Sequence, residues 1–212
     1  MNKSERHVDF ARRLVDGDDR WTLIDDFVRW WYGPEFKIEG NTDAEIDAAE
    51  ERIGVKLPQS LRRWYRYAGK SISSVSNNQN HLLRLNELQP LEETYGRLHV
   101  QIENQAVYQW AIRADDLAQE DPPVHMFMDS EYIGPFRPST SQWLLCDLIY
   151  EAFAGGHSVE RRAERSDLDG CARLPWEPGI EDDYAPEFYI TEDSLIEFSE
   201  PYSIVRIAER RT

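Results

Sequence analysis

Between Glu177 and Glu200 stand nine carboxylates (Glu177, Glu181, Asp182, Asp183, Glu187, Glu192, Asp193, Glu197 and Glu200) with no lysine or arginine among them. Tyr184, Phe188, Tyr189 and Phe198 are interleaved, and Tyr202 follows. Residues of these types offer long-range attraction to a cationic surface, with aromatic groups for short-range anchoring. Glu181, Asp182, Asp183, Tyr184, Glu187, Glu192 and Asp193 are the partner-facing candidates of this run. The competing reading is a solvated strand-and-turn surface. A second candidate is Asn104-Gln105, whose amides can satisfy backbone groups at a strand end or face a partner.

Other chemistry lacks a pattern. His7, His81, His99, His125 and His157 do not fall at metal-ligand spacing, and there is no phosphate-cradling glycine loop, Gly-x-Ser-x-Gly turn or His-Glu-x-x-His. Among 40 Asp and Glu, a pair such as Asp115-Asp116 reads as a solvated turn. No catalytic residue, cofactor or metal is therefore assigned. Cys146 and Cys171 are too few for a disulfide framework and lack CxxC spacing, which fits a reducing compartment.

The 24 Lys and Arg against 40 Asp and Glu give a formal charge of -16, which repels phosphate backbones and anionic lipid. Nucleic acid and membrane are thus poor partners and a basic protein a better one, although the same composition would serve solubility or a salt-adapted proteome. The excess is steepest at the end: residues 177–212 hold ten carboxylates and three arginines. No stretch nears the roughly 18 apolar residues of a membrane span, and MNKSERHVDFARR lacks the apolar core of a secretory signal, so a cytoplasmic protein is expected. With 41% hydrophobic and 12% aromatic residues the chain should fold, as one domain with an elaboration.

The elements that must position these residues read as follows. Val8, Ala11, Leu14 and Val15 predict a first helix ended at Gly17, and Trp21, Ile24, Val28 and Trp31 a second, capped by Asp18 or Asp19 and stopped at Gly33-Pro34. Thr42-x-x-Glu45 is a capping box ahead of Ile46, Ala49 and Ile53, with Gly54 as a left-handed terminator. Pro58 fits the first turn of the next helix, which carries Leu61, Trp64, Tyr65 and Ala68. The period then changes to two: Leu98, Val100, Ile102 and Tyr108, Trp110, Ile112 predict antiparallel strands around a turn at Glu103-Asn104-Gln105. Val124 to Met128 reads as a strand, Ser139-x-x-Gln142 as the cap of a helix ending at Gly155-Gly156, and 157 to 183 as a loop. Glu187 to Ile190, Leu195 to Phe198 and Ser203 to Ala208 read as strands.

The stretch from Thr42 through Glu50-Glu-Arg-Ile-Gly-Val-Lys-Leu-Pro58 to Trp64-Tyr65 and Gly69 resembles the signature of the SUKH superfamily. The likeness continues in order with Ile102-Glu103-Asn104-Gln105, Trp110-Ala111-Ile112, Asp121-Pro122-Pro123-Val124 and Ser141-Gln142-Trp143-Leu144, covering about residues 42 to 154. Ala68-Gly69-Lys70 and the polar Ser/Asn run to Asn80 depart from the family pattern. The resemblance implies an α+β fold: a twisted, mainly antiparallel sheet with helices packed against it, here residues 41–212. Residues 1–40 would form an N-terminal helical extension on the same core. It also implies a non-enzymatic binding protein. An immunity protein against a basic toxin domain, such as a nuclease, comes first, a regulatory or scaffold module second, and an enzyme third. The signature residues Gly54, Leu57 and Pro58 are assigned to folding, and Trp64, Tyr65 and Trp110 to the core.

Overall fold

The computed structural model describes residues 6–16, 19–175 and 186–210. The chain is α+β with an N-terminal helical region, as expected, but its described strands form two antiparallel sheets of five strands each where one was expected. Contacts divide it into two compact units, residues 37–151 and residues 1–36 with 152–212.

In the 37–151 unit, helix α3 (Asp43–Ile53) begins at the expected capping box. Thr42 Oγ1 accepts from the Glu45 amide at 3.2 Å, and Glu45 Oε2 accepts from the Thr42 amide at 2.7 Å. Gly54 ends it at φ 75°, in the region that penalises a Cβ, and its N–H reaches Glu50 O at 2.9 Å. Helix α4 (Gln59–Ala68) follows with Pro58 at the cap, one position earlier than expected. Ile46, Ala49, Ile53, Leu61, Trp64, Tyr65 and Ala68 are buried. After the single turn α5 (Ile72–Val75) the sheet runs in order β1 (His81–Leu82), β2 (Arg97–Ile102), β3 (Tyr108–Arg113), β4 (Val124–Met128), β5 (Glu131–Arg137). Strand β5 is not legible in the sequence because Gly134-Pro135 breaks the alternation. Its place at the sheet edge tolerates the missing proline donor. Helix α6 (Thr140–Gly155) starts after Ser139, whose Oγ accepts from the Gln142 amide at 3.3 Å.

In the other unit, α1 (Arg6–Asp16) precedes α2 (Arg20–Tyr32), where Asp19 caps the start by accepting from the Trp21 amide at 3.1 Å. Gly17 and Asp18, expected as terminator and alternative cap, lie outside the described residues. The buried face of α2 is Leu23, Ile24, Phe27, Val28 and Trp31, while Trp21 is only half-buried. The second sheet is ordered β6 (His157–Arg162), β10 (Ile204–Glu209), β9 (Ser194–Ser199), β8 (Glu187–Ile190), β7 (Ala172–Arg173). The three C-terminal strands fall where expected.

The loop expected over 157 to 183 is corrected by β6 and β7. Strand β6 is an edge strand with exposed Val159, Glu160, Arg161 and Arg162, so no alternation marks it. Main-chain pairing to β10, from His157↔Glu209 to Arg162↔Ile204, holds it, with Arg206 Nε on Glu160 at 3.0 Å. Charged edges of this kind also discourage pairing with other chains. A small core of Ala163, Leu168, Tyr189, Ile196, Phe198 and Val205 lies in this unit.

Candidate functional site

The acidic run is only partly an open anionic surface. Glu187 on β8 is paired with Arg165 at 3.0 Å and Arg173 at 3.1 Å, and accepts from the Tyr189 hydroxyl at 2.5 Å. Burial pushes its carboxyl up, but Tyr189 and the two arginines outweigh this and hold it below the usual range. Glu200 shares Arg165 at 3.0 Å, and Glu197 meets Arg206 at 3.0 Å, where burial still keeps its carboxyl raised. The run itself contains no cation. Arg165, Arg173 and Arg206 reach it from outside through the fold.

Glu192 and Asp193 differ. They form the exposed tip between β8 and β9, and the tip is held firmly from behind. Glu192 O accepts from Trp30 Nε1 at 3.0 Å, Asp193 O accepts from the Arg210 amide at 2.9 Å, and Arg210 Nη1 donates to Trp30 O at 3.0 Å. Thr191 and Ser194 side chains hydrogen-bond the Asp193 carboxylate at 3.2 and 2.9 Å. The tip therefore presents two carboxylates on a fixed backbone. Glu181, Asp182, Asp183 and Tyr184 lie outside the described residues.

Asn104 and Gln105 are exposed in the β2–β3 turn. The glutamine that is built into the core is Gln101. Strict alternation predicts Leu98, Val100 and Ile102 inside, but a register shift between His99 and Gln101 changes the phase. Gln101 is consequently buried and Ile102 only half-buried.

That shift completes a buried polar network which the sequence reading missed. Gln101 Nε2 donates to Asp147 Oδ1 at 2.6 Å, and Asp147 Oδ2 lies 2.6 Å from Ser76 Oγ. One helical turn on, Glu151 is fully buried and accepts from three successive backbone amides: Asn78 at 2.6 Å, Gln79 at 2.6 Å and Asn80 at 2.8 Å. Asn78 Nδ2 also donates to Glu151 O at 2.8 Å, and Asn77 Oδ1 accepts from the Leu82 amide at 2.9 Å. The polar Ser/Asn run that departs from the family pattern is thus a loop clamped by two carboxylates at i and i+4 of α6. That spacing was the available signal, hidden among so many other acids.

Burial raises Asp147 to about 6. Burial and the Asp147 charge push Glu151 the same way, against its three amide donors. The donors decide where the pair's proton sits. Amide N–H groups cannot turn around, so protonating Glu151 would set donor against donor. A proton on Asp147 Oδ2 can be given to Ser76 Oγ while Oδ1 keeps accepting from Gln101. Burial raises both carboxyls, Glu151 to about 7, and when the pair holds a single proton the hydrogen-bond geometry favours it on Asp147.

The signature motif is explained by folding. Glu50 is buried and accepts from Lys56 Nζ at 2.7 Å, the Leu57 amide at 3.0 Å and Arg62 Nη1 at 2.5 Å, closing the link between α3 and α4. Leu57, Trp64, Tyr65 and Trp110 are buried, and Tyr65 OH donates to Leu83 O at 2.8 Å. Among the described residues no group of three or more His, Cys, Asp or Glu could hold a metal ion, and no helix is long and apolar enough to cross a membrane.

A capped helical hairpin, an antiparallel sheet and a late helix tied to it by buried carboxylates define an α+β domain whose ionisable groups largely serve its own architecture. The chain belongs to the SMI1 / KNR4 family (SUKH-1), whose model matches residues 40–146. Membership is consistent with an immunity or regulatory role, and proteins of this family generally bind partner proteins. No curated protein matches the chain.

Proposed function

We propose that the chain is an immunity protein of the cytoplasm that binds and neutralises a cognate basic toxin domain. The observation that carries this reading is the fixed acidic tip, Glu192 and Asp193, exposed on a backbone anchored by Trp30 and Arg210. Carboxylates held in place cost little ordering on binding and steer a cationic partner. Glu181, Asp182, Asp183 and Tyr184 are kept as partner-binding residues on their chemistry alone, and Asn104 and Gln105 offer a separate polar contact. Glu187 contributes less field because two arginines already face it.

The internal pairing of Glu187, Glu197 and Glu200 favours a second reading, a regulatory or scaffold module whose acidic strands serve the fold. Binding kinetics against the toxin domain of a neighbouring gene, across salt, separate the two. Glu192→Gln with Asp193→Asn is expected to slow association about tenfold at low salt and to lower the survival of cells expressing the toxin. Association indifferent to salt and to both substitutions, with survival intact, would overturn the role of the tip. No binding to any neighbouring toxin domain would favour the module.

A further inference from the structure

A second surface, independent of the acidic run and opposite in charge, lies in the 37–151 unit. Arg97 on β2 and Arg113 on β3 stand directly opposite each other across the antiparallel ladder. Like charges in that relation are destabilising unless something answers them. Arg113 has Asp115 at 3.6 Å. Arg97 is only 8% exposed, yet no carboxylate among the described residues pairs with it. Its guanidinium instead lies 4.2 Å over the Phe127 ring and 5.6 Å from that of Tyr95, and Nη2 donates to Ser130 O at 3.0 Å.

Around these arginines is a groove of about 440 Å³, walled by Tyr95, Phe127 and Tyr132. Tyr95 is 79% exposed and sits at φ 56°, a conformation that a bulky residue adopts only when its surroundings hold it there. Tyr132 is 52% exposed, with its hydroxyl 3.4 Å from His125 Nδ1, and His125 Nε2 lies 3.2 Å from Asp116 Oδ2. The arginines and aromatic walls are thus preset by the fold.

We infer that this groove is a docking site for a carboxylate side chain of a partner polypeptide, an Asp or Glu beside an apolar residue. The unanswered guanidinium supplies charge-assisted hydrogen bonds, and the exposed rings take the apolar neighbour. With two walls so open the groove would not enclose a small molecule, which needs most of its surface buried. A net charge of -16 and the nearby Asp115 also favour a single negative charge over a phosphate or nucleic acid.

The test is an NMR titration of the full chain with acetyl-Glu-Leu-amide, with acetyl-Gln-Leu-amide as the neutral control and inorganic phosphate as the rival anion. The Glu peptide is expected to shift Arg97 Nε–H and the Tyr95 and Tyr132 ring signals, saturating near the millimolar range, with the Gln peptide about tenfold weaker. Arg113→Gln, at an exposed position, should weaken the Glu peptide severalfold with the fold intact, and Arg97→Lys more so where it folds. Equal binding of both peptides, no saturable shift, or affinity unchanged in Arg113→Gln would overturn the proposal. So would phosphate binding more tightly than the Glu peptide.

Discussion

Replacing Asp147 with Asn tests the buried clamp at its centre. Asn reproduces the protonated carboxyl: Oδ1 still accepts from Gln101 Nε2, and Nδ2 can donate to Ser76 Oγ across the space now spanned at 2.6 Å. The folded protein holds Asp147 near 6 against an ordinary 3.8, so between these values it keeps a proton that the unfolded chain has released. A raised carboxyl stabilises the fold fully below the unfolded value, and that contribution is lost as pH rises through about 6. Two pKa units correspond to about 3 kcal/mol. Asp147→Asn should therefore be closest to neutral below about pH 4 and stabilise by about 3 kcal/mol at pH 8, with roughly half of that difference already present at pH 5. Urea unfolding followed by circular dichroism at several pH values measures the difference, in which titrating groups other than the Asp147–Glu151 pair cancel. Glu151→Gln is the counterpart: its carbonyl can keep the amides of Asn78 and Gln79, but its NH2 then opposes that of Asn80. It should cost about 1 to 3 kcal/mol at pH 8, above the value of about 7 to which burial and the Asp147 charge raise Glu151. An Asp147→Asn variant less stable than the parent at pH 8, or an unchanged pH slope, would refute the proton's placement. A stabilising Glu151→Gln would refute the ionised carboxylate.

Trp64→Ala truncates a side chain that is 1% exposed and should cost about 3 to 5 kcal/mol in chemical denaturation. Gly54→Ala meets nothing within 4 Å but keeps a left-handed φ of 75°, for about 1 to 2 kcal/mol, whereas a Cβ at Gly40 would fall 1.5 Å from Arg66 O. Gly40→Ala should accordingly lower the melting temperature more than Gly54→Ala does. Glu50→Ala leaves the Leu57 amide without its acceptor and Arg62 without its buried partner, for about 2 kcal/mol at neutral pH. Burial raises the Glu50 carboxyl, but Lys56 and Arg62 outweigh it and hold it low, so its contribution is present above 4.5 and fades as pH falls through the folded value. The variant should therefore converge on the parent in acid unfolding.

What the sequence determined by itself was local. The Thr42–Glu45 capping box, the Gly54 terminator, the α3–α4 hairpin and the turn at Asn104-Gln105 each depend on residues within a few positions of one another, so residue type and spacing suffice to read them. The three C-terminal strands were legible for the same reason. Tertiary structure alone decided what depends on distant partners. Strand β6 exists because β10 supplies its hydrogen bonds, and β5 because an edge forgives its proline. The bulge after His99 left Leu98 and Val100 buried but changed the phase at the end of β2 and buried Gln101, which brought it to Asp147 46 positions away. A stretch that reads as nine unanswered carboxylates finds Arg165, Arg173 and Arg206 across the sheet, leaving Glu192 and Asp193 as its exposed, fixed tip among the described residues. Charge along a chain can be counted from its letters. Which charges remain available to a partner depends on Coulomb interactions over a few ångströms, and only the folded backbone sets those distances.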